Sequence, residues 1–453
     1  MSREILKKTL VTLIVGISIL ALGVRQAEAS GSVARFEQTY GGTKRQEAFC
    51  VIQTNDGGYA LAGYTDSYGA GGADFWLVKT DASGNEQWNR AYGGPNDDEA
   101  RCVIQTNDGG YALAGYTDSY GAGGADFYLV KTDSRGNELW SKTYGGPKDD
   151  VAYSVVQTND GGYALAGYTQ SFGVGHGATN YWLLRTDSAG TELWNRTFGG
   201  GGDDRCYSLI KTADGGYALA GKTSSFSIGF SQLWLVKTDA NGNEIWNQTY
   251  GGYFDNLAYS VIQTSDGGYA LAGSTDAAGA GGVDMFLVKA NSTGYEAWNR
   301  TYGGSGYDEA WSVVQTKSDG GYALGGSTTS YGAGFADFYL VKTDSSGNLQ
   351  WNQTYGGPSN DTCYSMIQTS DGGYALAGYT ESYGPGPANF WLVKTDQNGV
   401  VPEFPSIDIP ILFIAMTLTM VVIRKKLVRE QSAPRSLNGD GKPTYVTIFR
   451  KIV

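Results

Sequence analysis

The chain has 453 residues, with 33 basic against 45 acidic side chains and a net charge of −12. Residues 1–29 and 424–453 together hold twelve basic and four acidic groups, which leaves 21 basic against 41 acidic between them. A central region this acidic repels nucleic acid and anionic lipid, so nucleic-acid binding is excluded, while cations, sugars and basic proteins stay open as partners.

Residues 1–29 read as a secretory signal peptide. Arg3, Lys7 and Lys8 precede the apolar run 10–24, and Ala27-Glu28-Ala29 supplies small residues flanking a cleavage site. The mature chain then starts near Ser30, outside the cell.

From residue 34 to residue 399 the chain repeats itself. The word DGGYA begins at Asp56, Asp108, Asp160, Asp214, Asp266, Asp319 and Asp371, at intervals of 52, 52, 54, 52, 53 and 52 residues. A period of this size marks a repeat architecture, in which each unit buries its apolar faces against its neighbours. Within the second copy, β-rich runs at 102–106, 111–117, 127–132 and 138–144 are separated by turn chemistry, Asn107-Asp108-Gly109-Gly110 and Asp133-Ser134-Arg135-Gly136-Asn137. Each copy therefore predicts one four-stranded antiparallel blade, with strands a to d. The last copy lacks strand d, and residues 34–42 supply one ahead of the first copy. The fold predicted is all-β, a seven-bladed β-propeller whose ring is closed by the N-terminal strand, an arrangement that leaves no long sheet edge exposed.

The four cysteines fall at equivalent positions of different blades, Cys50 and Cys102 at one and Cys206 and Cys363 at another. They are expected to be unpaired, because separate blades should hold them beyond disulfide reach.

The c–d words carry Asp, Gly and Trp at Asp81, Gly84, Trp88 and at Asp133, Gly136, Trp140, and the spacing returns in later copies. This pattern resembles the tryptophan-docking repeat of the quinoprotein-like propellers. The resemblance implies that Trp88, Trp140, Trp194, Trp246, Trp298 and Trp351 dock onto the adjacent blade. It does not extend to a quinone-binding or calcium-binding set, and the fifth copy begins with Asn291 where the others have Asp.

After the propeller, residues 400–406 form a linker containing Pro402-Glu403-Phe404, the apolar run 407–423 is expected to be a transmembrane helix, and Arg424-Lys425-Lys426 opens a basic tail, 424–453. The continuously apolar part, 409–423, is slightly short for a span, and the basic cluster places this end in the cytoplasm. The order of motif, apolar segment and basic cluster resembles the PEF-type C-terminal sorting signal of archaeal surface proteins. That resemblance implies processing and attachment to lipid, whereas the long tail favours a plain membrane anchor.

Candidate ligand groups cluster on the face formed by the d–a and b–c loops. Asp98, Asp150, Asp204, Asp308 and Asp361 precede strand a, and Asp74, Asp126, Asp284 and Asp337 precede strand c. They form a ring of carboxylates for Ca²⁺ or sugar hydroxyls on one reading, and acceptors for backbone N–H groups of the loops on the other. Tyr68, Tyr120, Tyr331 and Tyr383, with Phe172 and Phe226 at the same position, suit either stacking on sugar rings or packing between blades. The single histidine, His176, has no metal-site or nucleophile motif around it, and no cofactor or catalytic set is expected. Glycosylation triplets begin at Asn195, Asn247, Asn291, Asn299, Asn352 and Asn360.

The function expected is that of a membrane-anchored, non-enzymatic surface protein that binds an envelope glycan or another surface protein, or serves the envelope as a structural module. The alternative is an extracellular propeller enzyme, a quinoprotein-like oxidoreductase or a polysaccharide glycosidase or lyase.

Overall fold

The computed structural model describes residues 35–175 and 177–401. The signal segment, His176, the PEF motif, the apolar run and the basic tail lie outside the described residues. Among the described residues no helix is long and apolar enough to cross a membrane.

Seven four-stranded antiparallel sheets make up the described chain. Blade 1 runs through strand a (Gln46–Gln53), strand b (Tyr59–Thr65), strand c (Asp74–Thr80) and strand d (Glu86–Tyr92) in spatial order. In blade 7, strands a (Asp361–Gln368), b (Tyr374–Thr380) and c (Asn389–Thr395) are joined by Phe36–Tyr40, which pairs antiparallel with strand c from Phe36↔Lys394 to Tyr40↔Phe390. The split blade predicted from the repeat boundaries is therefore present, and the fold is a seven-bladed β-propeller.

Strands b and c are buried on both faces, so they read as continuous apolar words such as YALAGYT and DFYLVKT. Each core cluster spans two adjacent blades. Ala60, Phe75 and Leu77 of blade 1, for example, pack with Val103, Leu113 and Tyr128 of blade 2. Strand d is outermost, and its Asn195, Asn247, Asn299 and Asn352 are exposed, as is Asn291 in a c–d turn, while Asn360 is half-buried.

The tryptophans seal these junctions at the outer edge. Trp88 meets Tyr111 of the next blade edge-to-face at 5.8 Å, and its ring covers Gly136, where a Cβ would sit 2.6 Å from it. Trp140, Trp194, Trp246, Trp298 and Trp351 repeat this against Tyr163, Tyr217, Tyr269, Tyr322 and Tyr374. Phe36 takes the seventh place against Tyr59.

Strand a begins earlier than the β-rich run suggests, at Asp98 instead of residue 102 in blade 2. The cause is a β-bulge that breaks the alternation, between Ala100 and Cys102 in that blade. The same irregularity falls between Ala48/Cys50, Ala152/Ser154, Cys206/Ser208, Ala258/Ser260, Ala310/Ser312 and Cys363/Ser365. Opposite it, strand b holds a glycine with no room for a side chain. A Cβ on Gly115 would sit 1.9 Å from the Glu99 carbonyl oxygen.

Candidate functional site: the axial cavity

The residue left out of the ladder at each bulge is Phe49, Arg101, Tyr153, Tyr207, Tyr259, Trp311 or Tyr364. All seven line one cavity of about 530 Å³ at the meeting point of the blades, together with Glu47, Tyr64 and Glu99. A bulge re-aims a side chain that regular pleating would direct into the sheet stack. Here it directs one from each innermost strand toward the axis.

The side chains form a closed circuit. Tyr259 stacks on Trp311 with ring centroids 3.9 Å apart, Trp311 meets Tyr364 at 5.1 Å, and Tyr364 meets Phe49 at 5.0 Å. On the other side Tyr259 meets Tyr207 at 5.4 Å, and Tyr207 meets Tyr153 at 5.0 Å. Arg101 closes the remaining gap, with its guanidinium 4.1 Å from the Phe49 centroid and 5.7 Å from that of Tyr153, a cation–π bridge between two aromatic neighbours.

Glu47 and Glu99 stand two residues nearer the d–a loops along strand a. Glu99 pairs with Arg101 at 2.5 Å, and Glu47 pairs with Arg45 at 2.5 Å and accepts a hydrogen bond from the Tyr64 hydroxyl at 3.0 Å. Burial works against the Arg101 charge, but Glu99 and the surrounding tyrosines hold its pKa above the usual guanidinium value. Burial pushes the phenols of Tyr207, Tyr259 and Tyr364 well up, so they are neutral donors. The Arg101 Nε is buried without an acceptor, and the buried Trp311 Nε1 has the Glu309 carboxylate beside it.

The carboxylates preceding strands a and c lie elsewhere, buried under the loops. Asp98 accepts from the Gly94 N–H at 2.7 Å and the Ser119 hydroxyl at 2.8 Å, which ties its d–a loop to the b–c loop of the same blade. Asp150, Asp204, Asp308 and Asp361 hold Gly146, Gly200, Gly304 and Gly357 in the same way. Asp74, Asp126, Asp284 and Asp337 accept from the N–H groups of Ala70, Ala122, Ala280 and Ala333 in their b–c loops. Among the described residues no group of three or more metal-ligating side chains is assembled.

The loop aromatics are half-exposed. Tyr120, Tyr331 and Tyr383 donate to the carbonyls of Gly93, Gly303 and Gly356 on the preceding strand-d end, Tyr68 reaches Gly41 at a longer distance, and each ring leans on a strand-c aromatic such as Trp76 or Tyr128. Phe172 and Phe226 keep the ring contact without the hydroxyl.

One corner of this face departs from the repeat. The b–c loop of blade 4 and the following d–a loop together expose Ile228 (71%), Phe230 (62%), Tyr253 (61%) and Phe254 (50%), whereas at these positions the other blades carry mostly small or polar residues, with Val174 and Phe335 as single exposed apolar exceptions.

The cysteines are free thiols in the structure. Cys50 and Cys102 are nevertheless hydrogen-bonded neighbours across blades 1 and 2. That all four are unpaired agrees with the expectation, although the Cys50 sulfur does reach the Val103 backbone of the next blade.

No family profile and no curated protein matches the sequence. Solved structures resemble it only at the level of fold. Sqt1 from Chaetomium thermophilum, bound to the N-terminus of the ribosomal protein L10, is 12% identical, with 81% of this chain and 100% of that one covered and a TM-score of 0.47. BamB from Moraxella catarrhalis is 13% identical over 78% and 85% of the two chains, TM-score 0.39. A puromycin hydrolase is 14% identical over 74% and 50%, TM-score 0.45. The likeness carries no function across.

Proposed function

We propose that the protein is a membrane-anchored, non-enzymatic binding module of the cell surface whose ligand enters the axial cavity from the d–a and b–c face. The observation that carries this reading is where the repeat varies. The packed position of strand a stays aliphatic, Val in five copies with Leu209 and Met366 in the others, whereas the bulge position is Tyr in four copies but changes in size and charge to Phe49, Arg101 and Trp311 in the rest. Blade packing needs the same kind of residue in every copy. A ligand without seven-fold symmetry needs different ones, and concave sites lined by aromatics with a few convergent polar groups are the usual form of ligand pockets.

The exposed apolar corner of blades 4 and 5 lies on the same face, which supports contact with a larger partner there. The signal segment and the apolar run support surface display, with the propeller outside.

The test combines location with occupancy. On intact cells, a membrane-impermeant amine reagent should label the propeller lysines. In the purified full-length chain carrying 5-fluorotryptophan, the Trp311 resonance, assigned by its loss in Trp311→Phe, should move on adding a fraction of the cell envelope. Protection from the reagent, or a Trp311 signal unmoved by every envelope fraction, would reject the reading.

A further inference from the structure

Resting on the binding reading above, we infer that the axial cavity takes a neutral saccharide, seated against the Tyr259–Trp311 pair and hydrogen-bonded at Arg101 and Glu99. The argument begins with charge. Glu99 is already matched by Arg101 and Glu47 by Arg45, each at 2.5 Å. An anionic ligand would have to take Arg101 from Glu99 and so meets no free counter-charge, whereas a cationic one would find only Glu309, whose charged form burial disfavours and which is held by the Trp311 indole.

The polar groups that remain suit hydroxyls. A carboxylate only accepts and a guanidinium or indole N–H only donates, so a hydroxyl can satisfy both partners of an ion pair at once without separating them. The Arg101 and Glu99 side chains keep 23% and 18% of their surface exposed, so such a hydroxyl can reach both, while the buried Trp311 Nε1 lies beside Glu309 and leaves its ring as the surface on offer. The rest of the wall is aromatic and only half-buried although it belongs to the innermost strands. Apolar C–H faces combined with hydroxyl edges are the defining property of a pyranose, and a cavity of about 530 Å³ has room for a short oligosaccharide.

The experiment is calorimetric titration of the full-length chain, in a detergent without a sugar headgroup, against neutral glucan, mannan, galactan and N-acetylhexosamine oligomers. A sulfated oligosaccharide, a tetraalkylammonium ion and a nucleoside form the comparison arms. Saturable binding of at least one neutral oligomer is expected, weakened tenfold or more in Trp311→Ala and in Arg101→Met, weakened less in Trp311→Phe, and unchanged in Tyr120→Ala, which lies outside the cavity. If Trp311→Ala does not fold, the Trp311→Phe and Arg101→Met titrations decide. Binding only in a comparison arm, no binding at all, or neutral-sugar binding indifferent to both cavity residues overturns the inference. Should an envelope fraction move the Trp311 fluorine signal while no neutral saccharide does, the saccharide class falls and the cavity reading stands.

Discussion

Asp74 of blade 1 and Asp98 of blade 2 point their carboxylates at one another across Gly93. A Cβ there would sit 2.2 Å from Asp74 Oδ1 and 2.6 Å from Asp98 Oδ2. The same meeting occurs across Gly145 for Asp126 and Asp150, Gly303 for Asp284 and Asp308, and Gly356 for Asp337 and Asp361. At the other three junctions the strand-c member is Asn180, Gln232 or Asn389, an amide with no charge.

Two like charges so close cannot both be comfortable, and the strand-c member yields. Burial, and then Asp98, raise the Asp74 pKa to about 6 against an acceptor bond from Ala70 that works the other way, and Asp126, Asp284 and Asp337 are raised for the same reasons. A folded-state pKa above the unfolded value means stability that is complete below about pH 4 and is lost as pH rises through about 6. Asp74→Asn should therefore raise the melting temperature at pH 8 and leave it nearly unchanged at pH 4, a gain of ~1–2 kcal/mol once screening near the loop is allowed for. Chemical unfolding at the two pH values checks this. Equal effects at both, or a loss at pH 8, would contradict the pairing.

The opposite sign belongs to the first aspartate of the DGGYA word. Asp56 pairs with Lys79 at 2.8 Å, caps the a–b turn through the Gly58 N–H and accepts from the Thr54 hydroxyl. Lys79 is 4% exposed and also donates to the Thr80 carbonyl at 2.7 Å, so its ammonium is satisfied inside the blade. The word recurs in seven copies because each strand c carries such a cation, as Arg185 in blade 3 and lysine in the others.

Although burial opposes it, bonding to Lys79 and Thr54 lowers the Asp56 pKa to about 2, so its contribution is present above about pH 4 and is lost as pH falls toward 2. Asp56→Ala should cost ~1–3 kcal/mol by leaving Lys79 under-compensated, while Asp56→Ala with Lys79→Met should cost less. Denaturant midpoints of the single and double variants test this, and a double variant worse than the single would refute it.

Blade number, strand order and the split blade were legible because each is written seven times in residue type and spacing. The axial cavity was not, since its residues occupy one position per 52-residue copy and interrupt the alternation by which strands are recognised. A signal was nonetheless present. A glycine in the middle of strand b, at Gly63, Gly115 and their counterparts, marks either a bulge or a close backbone approach, and here it marks both. The loop carboxylates attracted attention as a possible ligand ring because acidic residues at loop entries look solvent-facing in sequence. Asp98 is instead buried and bonded to its own loops, the backbone-acceptor alternative that the sequence also allowed.

Trp88 and Gly136 allow the docking contact to be measured apart from backbone strain. Gly136 has φ +77° and Gly109, in the a–b turn of the same blade, has φ +81°, so alanine at either is strained by the backbone alone, at about 1 kcal/mol. A Cβ on Gly109 meets nothing within 4 Å, whereas one on Gly136 runs into the Trp88 ring. Gly136→Ala should therefore be the more damaging by a further ~1–2 kcal/mol, and Trp88→Ala should remove most of the difference, leaving only the flexible Arg90 side chain to give way. Equal destabilisation by the two glycine substitutions would show that the ring does not press on the turn.

Cys50 and Cys102 bear on how firmly the innermost strands are held. The hydrogen bond to Cys102 and burial raise the Cys50 pKa well above that of a free thiol, and its sulfur also accepts from the Val103 N–H at 3.3 Å. Cys206 and Cys363 are buried without such a partner, and burial alone pushes Cys206 beyond the normal range and Cys363 up to about 12. Cys50 lowers the Cys102 pKa, so for that thiol it is access alone, blocked by the next blade, that protects it; on this ground all four should resist alkylation at pH 8 in the folded chain and react rapidly once it is unfolded. If blades 1 and 2 separate at the axis in local openings, Cys50 and Cys102 will be modified together, ahead of Cys206 and Cys363. Mass spectrometry of partially alkylated protein distinguishes the orders, and simultaneous modification of all four would place the weak point of the ring elsewhere, in the opening of the whole propeller.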